Sequence, residues 1–592
     1  MHFYALQNPL NNAFYQCSFV KILAQSGEPK KDNDMEKIWL NSYEDGVSGE
    51  IDCEKYASLC EVFRYSSERF REKDAFSNLG TTLTYGEVAM LAEYFAAYLQ
   101  NTCQVKKGDR VAVMLPNLLQ YPVVIFGILL AGGVVVNVNP LYKPRELQYQ
   151  LVDSGAKTFV LLENCAYKLQ EILPQTQVKN IIISTVGDLL GSLKGLSINF
   201  FLRNIKKSVE DYQLPNAVKF TEILKKGGEM SLKRPIIDKN DLAFLQYTGG
   251  TTGKPKGAML THGNLCANMA QAGEWIKKQL EIGREVVFTP LPLYHIFSLT
   301  INLLIFFEIG AKNVLISDPR DIKNLIKTLK NHKVTVLTGV NTLFNALIHS
   351  PEFKSVDFSS WKLTVSGGAV TQRAVAEQWF EITHLPLIEV YGLTEASPGV
   401  CANPLNIKTY TGMIGLPIPN TEVKMCDPMG NEVAVGEVGE LKVKGPQVMK
   451  GYWDNPAETA AVFDADGFLA TGDIGVMNEW GFIQLIDRKK DMVNVSGFNV
   501  YPNEVEDVVV AMAGIREAAC IGIADEKTGE ALKLFAVKSD NSITEQDVTD
   551  HCRKELTAYK VPKVIEFRDD LPKSSVGKIL RRELREESLL NE

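Results

Sequence analysis

Short β-branched runs alternate with helix-like periods over residues 55–240, and this alternation constrains the fold more than any other feature of the sequence. Runs at 110–115, 134–138 and 158–162 predict strands, and the period at 88–99 predicts a helix. Strands that alternate with helices usually form parallel sheets covered by those helices. We therefore predict an α/β fold with a large N-terminal domain of parallel-rich sheets.

A chain of 592 residues is too long for one hydrophobic core, so two or more domains are expected. Five consecutive charged residues at 487–491 separate two strand-like runs and predict an exposed hinge. We expect a large domain at 35–487 and a small, mobile α+β domain at 488–592, a typical domain size. The pattern of the small domain comprises strand-like runs near 518–523 and 534–537 and helix-like periods near 503–511 and 545–556.

Residues 1–34 are polar and turn-rich, and an ordinary N-terminal pattern begins at Met35. Two interpretations stay open. The segment is either a flexible extension of the native chain or the product of a start assigned upstream of the true initiator, and we favour the second.

Charge and cysteine usage exclude several classes of protein. The net charge of -8 argues against a surface built for nucleic acid. The ten cysteines contain no CxxC pair, and the seven histidines form no HExxH motif. Reduced thiols in a cytosolic protein explain this usage better than a disulfide framework or a transition-metal site.

The longest apolar run, at 121–136, is interrupted by Pro122 and three glycines. It is shorter than the roughly 18 residues that a membrane span requires, so it predicts a buried helix followed by a strand. No lysine or arginine precedes Lys21, which argues against a secretory signal. We expect a cytoplasmic protein and leave open peripheral contact with the inner membrane face and a homodimer. No amphipathic anchor is evident, and 187–215 is interpreted as an irregular surface excursion.

A glycine- and threonine-rich loop at 247–257 is the strongest local signal for chemistry. Glycines permit close backbone approach, while amides, hydroxyls and lysines bind phosphate oxygens. It is not a Walker A loop, because Pro255 stands where Ser or Thr is required. A flexible hairpin is the alternative interpretation. The candidate phosphate-binding residues are Thr248, Gly249, Gly250, Thr251, Thr252, Gly253, Lys254 and Lys256.

This loop resembles the AMP-binding signature of the acyl-adenylating superfamily, which includes acyl-CoA synthetases. Five further motifs occur in the superfamily's order, and the resemblance extends from Met35 to the C-terminus. They are Pro-Leu-Tyr-His-Ile-Phe at 292–297, Tyr-Gly-Leu-Thr-Glu at 391–395, Thr-Gly-Asp at 471–473, Asp-Arg at 487–488 and Pro-Lys-Ser-Ser-Val-Gly-Lys at 572–578.

The resemblance implies a catalytic set of Lys578, Thr394 and Glu395. Lys578 would bridge the carboxylate and the α-phosphate, where negative charge develops. Thr394 would contact the α-phosphate. Glu395 would bind Mg²⁺ together with Thr248, because Mg²⁺ prefers oxygen ligands. ATP and CoA are the implied co-substrates.

The resemblance also implies binding and hinge residues. Asp473 and Arg488 would hold the ribose, and Tyr391 with the turn after Gly367 would form the adenine wall. Lys490 would be the hinge about which the small domain rotates between adenylation and thioester formation. Gly368 and Gly392 complete the nucleotide set, and the acyl and CoA set is His295, Phe297, Gly339, Val340, Gly367 and Gly497.

Several segments resemble the bacterial long-chain fatty-acid–CoA ligases almost word for word, notably 338–346, 486–493 and 496–504. An apolar acyl slot suits a long chain, since each buried CH₂ contributes ~0.8 kcal/mol. The chain departs from the usual pattern at Phe468, where Trp is typical, and at Ala470, where His is typical. These changes leave Asp473 intact, so activity is expected to survive.

Other functions stay open at this point. A fatty-acyl-AMP ligase would stop at the adenylate, and a medium-chain acyl-CoA synthetase would prefer shorter acids. An adenylation module would load a carrier protein, and an inactive scaffold would catalyse nothing. Retention of Lys578, Glu395 and Asp473 together argues against the inactive scaffold.

Overall fold

The computed structural model describes residues 35–248, 255–525 and 527–590. Within these residues, two parallel-rich sheets form the bulk of the large domain. The seven-stranded sheet is parallel except for the hairpin pair at its end. In spatial order its strands are Ala217–Lys219, Asn180–Ser184, Thr158–Leu162, Arg110–Met114, Val134–Asn137, Leu242–Thr248 and Lys256–Thr261. The strands predicted near 110, 134 and 158 are thereby confirmed.

The second large sheet has nine strands among the described residues, with a parallel centre and antiparallel edges. In spatial order they are Leu416–Pro417, Gly399–Ala402, Leu387–Gly392, Leu363–Gly367, Val336–Gly339, Val286–Thr289, Lys312–Leu315, Asp74–Asn78 and Thr81–Thr84. The predicted α/β class is therefore confirmed.

Helices cover these sheets, and side-chain caps fix several of their first turns. Thr84 and Thr261 each accept a hydrogen bond from the backbone N–H three residues later, in capping boxes. The helix Gln120–Leu130 is buried along its whole length, as the apolar run predicts. The α-helices of this part are Leu59–Arg69, Tyr85–Asn101, Gln120–Leu130, Pro144–Ser154, Ala166–Ile172, Ser192–Phe200, Phe220–Gly227, His262–Ile276, Ile296–Ser298, Phe306–Glu308, Ile322–Lys330, Asn341–Ile348, Arg373–Thr383 and Pro456–Val462.

Shorter helical turns link these elements. The described part of the chain has 3-10 turns at Met35–Ser42, Glu163–Cys165, Leu173–Gln175, Pro351–Ser355, Thr394–Ala396 and Ala558–Lys560, and wider π-helical turns at Phe201–Ile205 and Leu299–Ile305. No helix of the described residues is both long enough and apolar enough to cross a bilayer.

Two smaller sheets follow along the chain. An antiparallel sheet consists of Glu422–Cys426, Val438–Lys444, Leu469–Met477 and Ile483–Arg488. The small domain, seen over its described residues, has the strands Val493–Val495, Phe498–Val500, Ile515–Asp525, Gly529–Lys538 and Val564–Arg568 and the helices Pro502–Val510, Glu545–Glu555 and Arg581–Leu590. The strands and helices expected in this region are confirmed, and the chain passes between the two sheets at 489–492.

The interpretation of 187–215 as irregular is wrong over its central part. Residues Ser192–Phe200 form an α-helix that continues as the π-helical turn Phe201–Ile205. Gly195 is buried against Gly187, because a β-carbon on Gly195 would lie 2.3 Å from the Gly187 carbonyl oxygen. Asn199 fixes the same face by accepting a hydrogen bond from the Gly187 N–H at 2.9 Å. The segment is therefore a helix pressed closely onto the large domain.

Candidate active site

Three glycines lie at the carboxyl edge of the nine-stranded sheet. Gly339, Gly367 and Gly392 are each the last residue of neighbouring strands. A β-carbon at Gly367 would lie 2.8 Å from Val390 Cγ2 and 3.2 Å from Phe297 Cζ. Glycine is therefore required at Gly367 because its neighbours pack closely against the backbone, at the edge where open parallel sheets bind their ligands.

An apolar wall lies beside this edge. Val340 and Phe297 are buried, with exposures of 4% and 6%. Gly368 has a φ of +79°, and a β-carbon there would lie 3.7 Å from Val340 Cγ1. The structure thus brings the predicted residues Phe297, Val340, Gly367 and Gly368 together. Such a wall can contact an apolar chain or the face of an aromatic base.

A buried carboxylate, Asp473, contacts the nine-stranded sheet through Tyr391. Asp473 and Arg488 are opposite each other in two paired strands, and Arg488 Nε lies 3.1 Å from Asp473 Oδ1. Tyr391 Oη donates to Asp473 Oδ2 at 2.6 Å. Burial and the nearby Asp473 raise the pKa of Tyr391, so its phenol stays protonated and remains a donor. Three residues predicted for nucleotide binding therefore form one polar group.

Glu395 lies next to a hydroxyl donor. Tyr452 Oη donates to Glu395 Oε1 at 2.8 Å, and the Met449 N–H donates to the Glu395 carbonyl at 2.7 Å. Burial and Glu395 raise the pKa of Tyr452, which keeps this phenol protonated as well. Lys256 pairs with Glu458 and lies over the Tyr452 ring at 5.1 Å from its centroid. The end of the phosphate loop and the acidic residue are therefore bridged by Tyr452.

The small domain contributes Lys578 through a tight turn seated on the large domain. Gly577 adopts a φ of +83°, and its carbonyl accepts a hydrogen bond from Thr342 Oγ1 at 3.0 Å. Within the turn, the Lys578 N–H donates to Ser574 Oγ at 3.1 Å. A β-carbon on Gly577 would lie 2.5 Å from Thr342 Oγ1, so glycine is required both by the backbone and by the contact.

Electrostatics tune two groups in the cleft. The positive charge of Arg488, followed by burial, lowers the pKa of Lys578 to about 8. Burial, followed by the charge of Lys578, lowers the pKa of His295 to about 4. At neutral pH Lys578 is therefore mostly charged and His295 is neutral. A charged lysine in a half-buried cleft is suited to stabilising an anion.

Charged residues also cluster next to Lys578, and one of their pairs, Arg581 with Asp487, links the small domain to the end of the large domain. Arg581 contacts Asp487 at 3.3 Å, Asp491 at 3.4 Å and Glu506 at 2.6 Å. Arg585 contacts Asp491 at 2.6 Å. The predicted hinge residue, Lys490, lies within this charged segment with its side chain largely exposed, and partial desolvation of its ammonium group, followed by the charge of Arg488, lowers its pKa.

The remaining predicted residues do not all lie at the same place. Thr248 ends its strand directly opposite Lys256 in the hairpin register, and Thr394 begins the short turn that carries Glu395. Gly497 lies at an exposed hairpin turn with a φ of +87° and open space around it. Its N–H donates to Asn494 Oδ1, within its own domain.

Six predicted phosphate-binding residues lie outside the described residues. They are Gly249, Gly250, Thr251, Thr252, Gly253 and Lys254.

Sequence reasoning missed Tyr452, Glu458 and Thr342. Tyr452 and Glu395 are 57 positions apart, and no pattern in either segment indicates their contact. The sequence 451–459 contains a usable signal, because Asn455 caps a helix that presents Glu458 to Lys256. Thr342 follows the predicted Gly339 and Val340, and its position beside them was the available signal.

A two-domain α/β protein whose small domain places a lysine in a polar cleft at a sheet edge has the architecture of the adenylate-forming enzymes. The family description "AMP-binding enzyme" matches residues 63–453, and "AMP-binding enzyme C-terminal domain" matches residues 504–578. The chain belongs to the AMP-binding enzyme family.

Relatives of similar length cover nearly the whole chain. The long-chain-fatty-acid–CoA ligase of Yersinia pestis is 52% identical over 555 residues, covering 94% of this chain and 99% of that protein. The corresponding ligase of Haemophilus influenzae is 49% identical over 560 residues with the same coverage. The corresponding ligase of Bacillus subtilis is 39% identical.

Solved structures agree on the fold. ATP-bound MatB from Rhodopseudomonas palustris is 28% identical with a TM-score of 0.76, covering 89% of this chain and 98% of that one. The anthranilate CoA ligase AuaEII in complex with anthranoyl-AMP has a TM-score of 0.81 at 24% identity, covering 91% and 99%. The second likeness concerns the fold alone.

Proposed function

We propose that this protein is a long-chain-fatty-acid–CoA ligase that works through an acyl-AMP intermediate. One observation carries the proposal: the Lys578 turn is seated at the same cleft that holds the Tyr391–Asp473–Arg488 group and Glu395. The similarity to ligases of that name supports the substrate class. An apolar wall beside the cleft suits a hydrophobic acid.

In the first half-reaction the fatty-acid carboxylate attacks the α-phosphorus of ATP. A carboxylate–phosphorus bond forms, the bond to the leaving oxygen breaks, and pyrophosphate departs with the negative charge. Two anions must approach each other, so a fixed cation at the meeting point lowers the barrier. Lys578 supplies that charge, and Asp473 with Arg488 positions the ribose.

Mg²⁺ fits the residues present. Mg²⁺ is usually held by one or two protein oxygens plus substrate phosphates, and no cluster of three acidic, His or Cys side chains that could cage a metal occurs in the described chain. Glu395 and Thr248 would hold the ion. When bound, it would neutralise part of the negative charge of the phosphates. Tyr452 orients the Glu395 carboxylate for this role.

In the second half-reaction the CoA thiol loses its proton and attacks the acyl carbonyl. The thioester bond forms as the acyl carbon–oxygen bond breaks, and AMP leaves with that oxygen and the negative charge. We propose that rotation of the small domain (488–592) on the large domain (35–487) about Lys490 exchanges the Lys578 turn for the Gly497 hairpin. The open space around Gly497 leaves room for a narrow pantetheine arm. We place the enzyme in the cytoplasm, where its thiols stay reduced.

Lys578→Ala provides the first test. Acyl-AMP formation should fall by at least ~10²-fold, as for loss of a group aimed at developing charge, while thioester formation from supplied acyl-AMP changes little. The matched control is Lys563→Ala, which removes an exposed lysine of the small domain paired with Asp525. Equal losses in both half-reactions would contradict the role of Lys578.

Substrate class is tested separately. Products are measured with saturated acids from hexanoate to octadecanoate, with Mg-ATP and with or without CoA. CoA-dependent thioester with an optimum among the long acids supports the proposal. Accumulation of acyl-AMP without thioester would remove the CoA step and with it the role of Gly497.

A further inference from the structure

We propose that the helix formed by Ser192–Phe200 and Phe201–Ile205 docks this enzyme on an anionic lipid bilayer. The helix has an exposed apolar surface, which we call the outward face. It consists of Leu193, Leu196, Phe200, Phe201 and Ile205, with exposures of 85%, 69%, 61%, 49% and 63%. Five large apolar side chains grouped at one surface are unusual for a soluble protein and mark an interaction site.

The outward face is not the packing face of the helix. Gly195 is buried, and Ile198 packs against the main hydrophobic core. On the same inner side, Asn199 Nδ2 donates a hydrogen bond to Thr185 Oγ1 at 2.8 Å. The inner side therefore holds the helix on the domain, while the leucines and phenylalanines are directed to solvent.

The charge around the outward face indicates what kind of partner binds there. Residues 191–208 include Lys194, Arg203, Lys206 and Lys207 and contain no Asp or Glu, whereas the whole chain carries a net charge of -8. A local cationic segment on an acidic protein is complementary to an anionic surface. Large apolar side chains flanked by lysines and arginines are the composition of helices that lie in a membrane interface.

The basic side chains are placed to reach lipid headgroups. Lys206 and Lys207 are exposed and form no ion pair among the described residues. Arg203 is half-exposed and shares its charge with Glu163 at 3.3 Å. Lys194 donates to the Leu79 carbonyl. Lys206 and Lys207 are therefore the free cations of the segment, and they follow directly after Ile205 of the outward face.

The length of the helix determines how it binds. Nine α-helical residues continue into five π-helical ones, which is too short to cross a bilayer. The helix would lie in the plane of the interface, with the outward face inserted and the lysines among the headgroups. An acidic protein partner or a second copy of the chain is the competing occupant.

The experiment is flotation of the full chain with lipid vesicles, which requires no enzymatic activity and so is independent of the proposed function. Vesicles of phosphatidylcholine alone are compared with vesicles containing added phosphatidylglycerol. The wild-type chain should float with the anionic vesicles and much less with the neutral ones. Added salt should weaken the binding, because screening acts on exposed charges.

Two double variants separate the charge from the apolar contribution. K206Q with K207Q should weaken binding to anionic vesicles by about 30-fold, at roughly 5-fold for each lysine. L196S with F200S should weaken binding to both kinds of vesicle. The matched controls are K327Q with K330Q, two exposed lysines of the helix Ile322–Lys330, and I236S with M429S, which remove apolar groups that are 90% and 87% exposed.

The controls should bind like the wild-type chain, and thermal unfolding midpoints establish that every variant is folded. The proposal is overturned if the wild-type chain does not float with anionic vesicles, or if the test variants bind as it does. It is also overturned if light scattering shows that L196S with F200S breaks a dimer while vesicle binding is unchanged. That result would assign the outward face to a protein interface.

Discussion

The Tyr452 hydroxyl offers the sharpest test of how the acidic residue of the cleft is organised. Tyr452→Phe removes the hydrogen bond to Glu395 Oε1 and nothing else of comparable size, since the ring that lies near Lys256 remains. A hydrogen bond to a charged group contributes about 1.5–3 kcal/mol. Because ~1.4 kcal/mol corresponds to a tenfold change in rate, kcat/KM for acyl-AMP formation should fall roughly 10- to 100-fold.

The loss should depend on Mg²⁺, because Tyr452 is proposed to orient the carboxylate that holds the ion. The assay is pyrophosphate release across a Mg²⁺ titration, in which the variant should need more Mg²⁺ for half-maximal rate. Tyr212→Phe is a matched control, since it removes a 3.1 Å tyrosine–glutamate hydrogen bond to Glu163 away from the cleft. An unchanged Mg²⁺ requirement in Tyr452→Phe would refute this reasoning, whatever the change in rate.

Four further outcomes are expected. The kcat/KM for adenylation should fall as pH rises through about 8, where Lys578 loses its proton, and Lys578→Arg should remove this decline if it remains active. Asp473→Asn should raise the Kd for ATP by roughly tenfold or more, since it breaks a charge-assisted pair, and isothermal titration with a non-hydrolysable ATP analogue measures this change. Gly577→Ala should slow adenylation more than Gly436→Ala, because both glycines have a positive φ but only Gly577 has a close neighbour. Comparison of the initial rates of acyl-AMP formation by the two variants tests this. Burial raises the pKa of Glu389 to about 8, so the folded state holds this proton more tightly than the unfolded state, and stability should fall as pH rises from about 5 to 8. Glu389→Gln should flatten that part of the thermal unfolding profile.

The sequence predicted those parts of the fold whose local pattern agrees with their surroundings. The strands Arg110–Met114 and Thr158–Leu162 are β-branched runs buried on both faces, and the helix Gln120–Leu130 is apolar on all sides because it is buried on all sides. In each case composition and environment point to the same element. The motifs of the cleft could be located for a similar reason, since they are short and contiguous.

The helix at Ser192–Phe200 could not be predicted because its large apolar side chains face solvent, whereas those of most surface helices face the core. Its inner side includes the small Gly195 and the polar Asn199, while Leu193, Leu196 and Phe200 are exposed. A search for an apolar stripe facing the core finds no such stripe here. Contacts such as that of Tyr452 with Glu395 were unpredictable for another reason, because they depend on how distant segments meet.

The seat of the Lys578 turn has a consequence for the timing of the reaction cycle. Thr342 donates to the Gly577 carbonyl, and nearby Asn345 Nδ2 donates to the Arg516 carbonyl at 3.2 Å; each of these neutral hydrogen bonds is worth only about 1 kcal/mol. A latch of this strength opens readily by thermal motion. With the domain rotation proposed above, the charge of the molecule beside the lysine would set how long it stays in the cleft. Bound ATP would lengthen the stay and departure of pyrophosphate would shorten it, so the progress of the chemistry itself would advance the domain to its next position.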